Sequence, residues 1–113
     1  MHSPIFKLLA AAILERQQVT FIYEDHEREA CPHILGHKAA REAMLAYQFG
    51  GSSSRGLPPQ GEWRCFYVDR MTQVRTRHGR WYTGGSHQKT QACVDTLYLD
   101  VNTEVPNQPG RRP

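Results

Sequence analysis

Lysine is scarce in this chain: of 14 basic residues only Lys7, Lys38 and Lys89 are lysines, and the rest are arginine. Cysteine is limited to Cys31, Cys65 and Cys93, an odd number with no close pairing and no C-x₂-C spacing. That excludes a disulfide framework read from spacing and a cysteine-based zinc module. Long apolar runs are missing as well. The stretch Ile5 to Leu14 is interrupted by Lys7, is too short to cross a bilayer, and has neither the basic lead nor the small-residue cleavage site of a secretory signal. The expectation is therefore a cytoplasmic protein with reduced thiols and no membrane partner.

Catalytic signatures are equally thin. There is no G-x-S-x-G, no phosphate-binding P-loop and no nucleophile–base–orienter constellation, so enzyme activity is not expected. His33-x₃-His37 is the one closely spaced ligand pair among Cys31, His33, His37, Cys65, His78, His87 and Cys93. Cysteine within a strand is usually a small buried hydrophobe, so neither a metal nor a cofactor is expected.

What is present fits one small domain. A chain of 113 residues buries roughly 65% of its unfolded surface, enough for one core. The net charge of +3 and pI of 8.9 permit a nucleic acid or nucleotide partner without demanding one. The arginine bias tilts toward such a ligand, because a guanidinium fork grips phosphate bidentately and stacks on bases.

Ser3-Pro4 reads as an N-cap followed by proline at the first helical position. Ile5, Leu8, Leu9, Ala12 and Ile13 then fall on one helical stripe, predicting a helix over 4–17. Val19, Phe21 and Tyr23 alternate in a first strand, and Glu24 to Glu27 form a polar turn. A second strand runs from Arg28 to about Leu35. Pro32 lacks an N–H donor and marks that strand as an edge or as broken there. After a turn-like Gly36 to Arg41 come strands over 43–49, 62–68 and 71–77. One helix followed by five short strands describes a mainly β chain, a small barrel over about 19–82 or a strongly bent sheet. Residues 92–101 suit either a strand or a helix, and Val94, Thr96, Tyr98 and Val101 favour the strand. Residues 1–101 make the domain, and 102–113, with three prolines and Arg111-Arg112, read as a disordered tail. The connection from Gly50 to Gly61, between two aromatic runs, is long for a compact domain and suggests a binding loop.

An ordered series of residues carries a resemblance. Ala12-Ile13, Val19-x-Phe21-x-Tyr23, Arg28, Pro32, Leu35, Leu45-Ala46-Tyr47, Arg64-x-Phe66-Tyr67-Val68-Asp69-Arg70-Met71 and Val74 together resemble the WYL domain, over about Leu9 to Tyr82. Phe66 to Met71 is the most specific part, similar to the family's Phe-x-Leu-Asp-Arg-Ile run. The resemblance implies an Sm-like, SH3-type five-stranded barrel preceded by one α-helix. It also implies a ligand-sensing role in bacterial regulators, for which nucleic acids or nucleotides are the usual proposed ligands. The Trp-Tyr-Leu triplet that names the family falls on Glu42-Ala43-Met44, so its aromatic pair is replaced. The family's usual winged-helix DNA-binding domain has no counterpart ahead of the first helix. A role in transcriptional regulation is then expected to pass through a regulatory protein partner.

The candidate site follows from both readings. Arg28, Arg64 and Arg70 match the family's basic positions and are expected to converge near Tyr47 and the loop residues Ser54 and Arg55. A guanidinium fork, hydroxyls, glycine-freed N–H groups and an aromatic face suit a phosphate and a base. The competing reading pairs these arginines with Glu29, Glu62 or Asp69 on an ordinary solvated surface. Two functions are weighed: a binding module for a nucleotide or single-stranded nucleic acid, and a protein-interaction or oligomerisation module built on Trp63, Trp81 and Tyr82. A homodimer is expected.

Overall fold

The computed structural model describes residues 2–53, 56–84 and 93–102. Ser54, Arg55, His87 and the expected tail beyond Asn102 lie outside the described residues. Helix α1 spans Pro4–Glu15, two residues shorter than the stripe predicts. Ser3 caps it, its Oγ accepting from the Phe6 N–H at 3.1 Å, and Arg16 ends it in the left-handed region at φ 50°. The buried face is Phe6, Leu9, Ala12 and Ile13, whereas Leu8 is exposed. Phe6 thus takes the place that the expected stripe gave to Leu8. Ser3 also bonds to the Glu42 carboxylate through its backbone N–H and its hydroxyl, which fastens the start of α1 to the sheet.

Six strands follow: β1 Gln18–Tyr23, β2 His26–Lys38, β3 Arg41–Gly51, β4 Glu62–Tyr67, β5 Thr72–Arg77 and β6 Thr96–Asp100. All pair antiparallel, in the order β4-β3-β2-β1-β5, with β6 joined to the far half of β2. The fold is therefore mainly β, one helix on an open six-stranded sheet, and the expected closed five-stranded barrel is not formed. Closure would need β4 to pair with β5. A 3₁₀ turn over Val68–Arg70 instead carries the chain between them, leaving β4 at one end of the sheet order and β5 at the other. The expected strand in 92–101 is present as β6.

β2 is central and not an edge, and the break expected at Pro32 is the feature that makes this possible. The β2–β3 register shifts between Pro32 and Ile34, so proline sits at a bulge where its missing donor does least harm. One face of the sheet, with α1 against it, buries Val19, Phe21, Tyr23, Ala30, Met44, Ala46 and Phe66. The opposite face holds a smaller cluster of Ile34, Ala43, Leu45, Cys93 and Val94, flanked by Trp63 and Tyr67.

Cys65 and Cys93 form a disulfide, 28 residues apart in sequence, which corrects the expectation of reduced thiols. Spacing alone gave no hint, because the two meet only after β6 folds back along β2. Closing a loop of that length stabilises by about 3–4 kcal/mol. Cys31 remains a free, buried thiol.

The expected turn from Gly36 to Arg41 departs from its expected chemistry. Gly36 is not in a turn: it lies inside β2, where an added Cβ would come 2.2 Å from the Thr96 carbonyl oxygen, and its bareness admits β6. The turn itself is Ala39-Ala40, both at positive φ, 52° and 67°, the left-handed pair that two-residue hairpins require and that alanine disfavours. Two outcomes follow for urea unfolding. Replacing the pair (Ala39→Asn with Ala40→Gly) raises the unfolding free energy by about 1 kcal/mol. Gly36→Ala lowers it by about 1–3 kcal/mol, as overpacking against backbone does, and an unchanged midpoint would show that β6 tolerates displacement.

Candidate functional site

The alternation of β2 that turns Ala30 inward also turns Arg28 inward, opposite Phe21 on β1, and Arg28 is only 3% exposed. A cation there must be surrounded by acceptors. Arg28 Nη1 donates to Gln48 Oε1 at 3.3 Å, Nη2 donates to the Tyr23 carbonyl at 3.0 Å, and Glu24 stands 3.6 Å away. The guanidinium carbon lies 5.5 Å from the Tyr23 ring centroid and 5.6 Å from that of Phe66. Arg28 Nε has no partner among the described residues. Burial, and after it the charge of Arg64, pushes the Arg28 guanidinium below its ordinary value, with Glu24 and Tyr23 opposing.

Arg64 comes from β4 and is mostly buried. Its Nη2 donates to the Gly56 carbonyl at 2.8 Å and meets Glu62 at 3.2 Å, while its Nε is buried and unpartnered among the described residues. Arg70, at the end of the 3₁₀ turn, is half exposed, lies 3.7 Å from Glu24 and stands over the Tyr23 ring. The three arginines thus converge, and together with Tyr23, Glu24 and Phe66 they line a cleft of about 470 Å³. The cleft wraps the end strand β4. Arg28, Arg64 and Phe66 stand on the helix-facing side, and Ala43, Leu45, Trp63, Cys65 and Cys93 lie on the other. Four cations, Arg28, Lys38, Arg64 and Arg70, line it against two carboxylates, Glu24 and Glu62.

Tyr47 is not in this lining. Its ring packs against Trp63 and its hydroxyl donates to the Gln60 carbonyl at 2.6 Å, so it anchors the end of the long loop. Surface pairing does claim other arginines. Arg41 forms a two-pronged bond with Asp69, whose carboxyl that hydrogen bond holds below its ordinary range, and Arg77 pairs with Glu29. Asp69 is accordingly engaged elsewhere, and Glu24 is the acid that faces two of the site arginines. Trp63, Trp81 and Tyr82 are half-buried and do not form a common exposed patch: His33 lies between the two tryptophans and Tyr82 stacks on Phe49. Among the described residues no group of three or more His, Cys, Asp or Glu is placed to hold a metal ion. Nor is any helix among them long and apolar enough to cross a membrane.

Sequence reasoning missed Glu24 and Gln48. Gln48 is fully buried; its Oε1 accepts from Arg28 while its Nε2 donates to the carbonyls of Gly50 and Ser52. A lone amide at an inward position of the apolar run Leu45 to Phe49 was the available signal. Glu24 carried none, since a hairpin turn normally holds an acid for local reasons.

The comparisons with known proteins are consistent with this layout. A family model described as the WYL domain matches residues 4–76. No curated protein and no solved structure matches. The matched span holds α1, β1 to β4 and nearly all of β5, with all three site arginines; Cys93 and β6 lie beyond it.

The energetics of Arg28 give a test that needs no ligand. Removing the Arg28 guanidinium strands the buried Gln48 Oε1 and the Tyr23 carbonyl that accept from it, and a stranded buried acceptor costs about 1–3 kcal/mol. Arg28→Met should therefore lower the unfolding free energy by about 1–3 kcal/mol, whereas Phe66→Ala beside it costs about 3–5 kcal/mol. A loss for Arg28→Met as large as that for Phe66→Ala would mean that the arginine is there to hold the fold.

Proposed function

This chain belongs to the WYL domain family, whose members are generally regulatory, ligand-sensing modules, and we propose that it senses a nucleotide or single-stranded nucleic acid in the arginine cleft. The observation that carries this is the pair of buried Nε groups on Arg28 and Arg64, neither with a partner among the described residues. A folded protein normally satisfies such donors. Two left open side by side in a cleft, beside the faces of Tyr23 and Phe66, suit a ligand that brings oxygens of negative charge and a planar ring. The repulsion between the two guanidiniums is relieved by an anion placed between them. In this reading the module acts by binding, and it transmits the bound state to a regulatory protein partner.

A homodimer is supported by a separate feature. Leu97 on β6 is 55% exposed, on a strand that pairs only with β2 among the described residues and so offers an open edge. Sedimentation of wild type and Leu97→Asp tests it, a dimer in the first and a monomer in the second being the expected result.

Binding is tested by fluorescence anisotropy with a short 5′-labelled oligothymidylate and with ATP as competitor. Arg64→Ala and Arg28→Met should each weaken binding by about tenfold or more, as loss of a charge-assisted bond does. Log affinity should fall linearly with log salt, and Arg70→Ala should make that slope shallower by roughly 0.7. Absence of binding, or affinities indifferent to both arginines, would overturn the proposal.

A further inference from the structure

We propose that the Cys65–Cys93 disulfide is a thiol-exchange site that sets whether β4, and Arg64 upon it, is held in the binding position. This rests on the reading of the cleft as an anion site.

β4 is the weakest-held strand that carries a cleft arginine. It pairs only with β3 among the described residues and ends the sheet order. Arg64 projects from one of its faces; Cys65, next in sequence, projects from the other and is bonded to Cys93. Cys93 is 2% exposed and packs with Val94 on Ile34, Ala43 and Leu45, so the bond clamps β4 to the smaller core from behind. The clamp is continued by β6, which is fixed to β2 by its ladder and by the Asp95 N–H donating to the His37 carbonyl at 2.8 Å. Cys65 lies within the part of the chain that matches the family model, whereas Cys93 and β6 lie beyond it.

The same arrangement makes the bond reachable. Cys65 is solvent-exposed and both half-cystines line the cleft. The third cysteine does not compete: Cys31 is fully buried, its Sγ accepts from the Tyr82 N–H at 3.3 Å, and burial pushes its thiol up to about 11. Exchange is thus confined to one pair. A thiolate of a dithiol reductant attacks Cys65 Sγ, the Cys65–Cys93 bond breaks, and its electron pair leaves on Cys93 Sγ, which takes up a proton. The second thiol of the reductant then displaces Cys65 Sγ, which is protonated in turn, and the reductant departs as its own disulfide. Two electrons and two protons pass to the chain.

Oxidised, the clamp pre-organises Arg64 against Arg28. Reduced, β4 is left with one ladder, and a ligand must order it on binding.

The experiment compares the full chain oxidised, reduced with dithiothreitol, and as Cys65→Ser/Cys93→Ser, with circular dichroism confirming the fold of each. Alkylation after mild reduction should label Cys65 and Cys93 but not Cys31. The oligothymidylate probe should bind the reduced and double-serine forms about fivefold more weakly than the oxidised form, and oxidised glutathione should restore the affinity of the reduced chain. Amide hydrogen exchange reads the clamp without any ligand: β4 amides should exchange faster on reduction while β1 amides stay as they were. Equal affinities in all three forms, or exchange that rises evenly through the sheet, would overturn the proposal. If the probe fails to bind even the oxidised chain, the anion reading of the cleft falls, and exchange in β4 alone decides whether the clamp exists.

Discussion

A charged side chain at a core position of the central strand is the constraint on which the rest of this site depends. Alternation along β2 places Arg28 among Phe21, Tyr23 and Phe66 as firmly as it places Ala30 beside Val19. Desolvating a guanidinium is costly, and the surroundings are arranged to offset it. The Tyr23 carbonyl, the Gln48 amide, the Glu24 carboxylate and two aromatic faces all serve one residue. The compensation is incomplete. One N–H stays open, and a second like charge, Arg64, sits near enough to depress it further. That open donor is the feature on which the proposed anion reading of the cleft rests.

The same polar network explains the long connection between β3 and β4. Gln48, which accepts from Arg28, donates to the carbonyls of Gly50 and Ser52, and Arg64 donates to the carbonyl of Gly56. Tyr47 holds the Gln60 carbonyl at the far end. The described parts of the loop are thus tied by their backbone acceptors to the residues that build the cleft. On the proposed reading, an anion drawing on Arg64 would compete with the Gly56 carbonyl for the same donor.

Local features were legible in the sequence and long-range ones were not. Ser3-Pro4, the alternation of Val19, Phe21 and Tyr23 and the punctuation around 24–27 are statements about neighbouring residues, and the helix and the first five strands follow from them within a few positions. The order Phe66 to Met71 located Arg64 and Arg70. Openness of the sheet was hidden, because five alternating strands close or stay open according to whether the first and last of the curl can pair, and the 3₁₀ turn at Val68–Arg70 is read only in three dimensions. Gly36 looked like a turn residue because glycine serves turns and close approaches equally. Arg28 was found by resemblance, yet its burial was not, since nothing local distinguishes an inward arginine from one at a surface strand.

The residues at the place of the family triplet each have a packing or tethering part in this chain. Where the resemblance puts Trp-Tyr-Leu, this chain has Glu42-Ala43-Met44. Glu42 tethers the start of α1 through Ser3, and Met44 is buried in the main core. Ala43 is the informative member. It lies in the smaller cluster directly with Cys93 and Val94, and a tyrosine there would fill the space those two occupy, since cores pack without room for a second large group. The small side chain of Ala43 thus leaves room in the smaller cluster for Cys93 and Val94. The aromatic faces beside Arg28 come from Tyr23 and Phe66 on the other side of β4, so the two faces of that strand divide the work: rings and guanidiniums on one, the disulfide to Cys93 on the other.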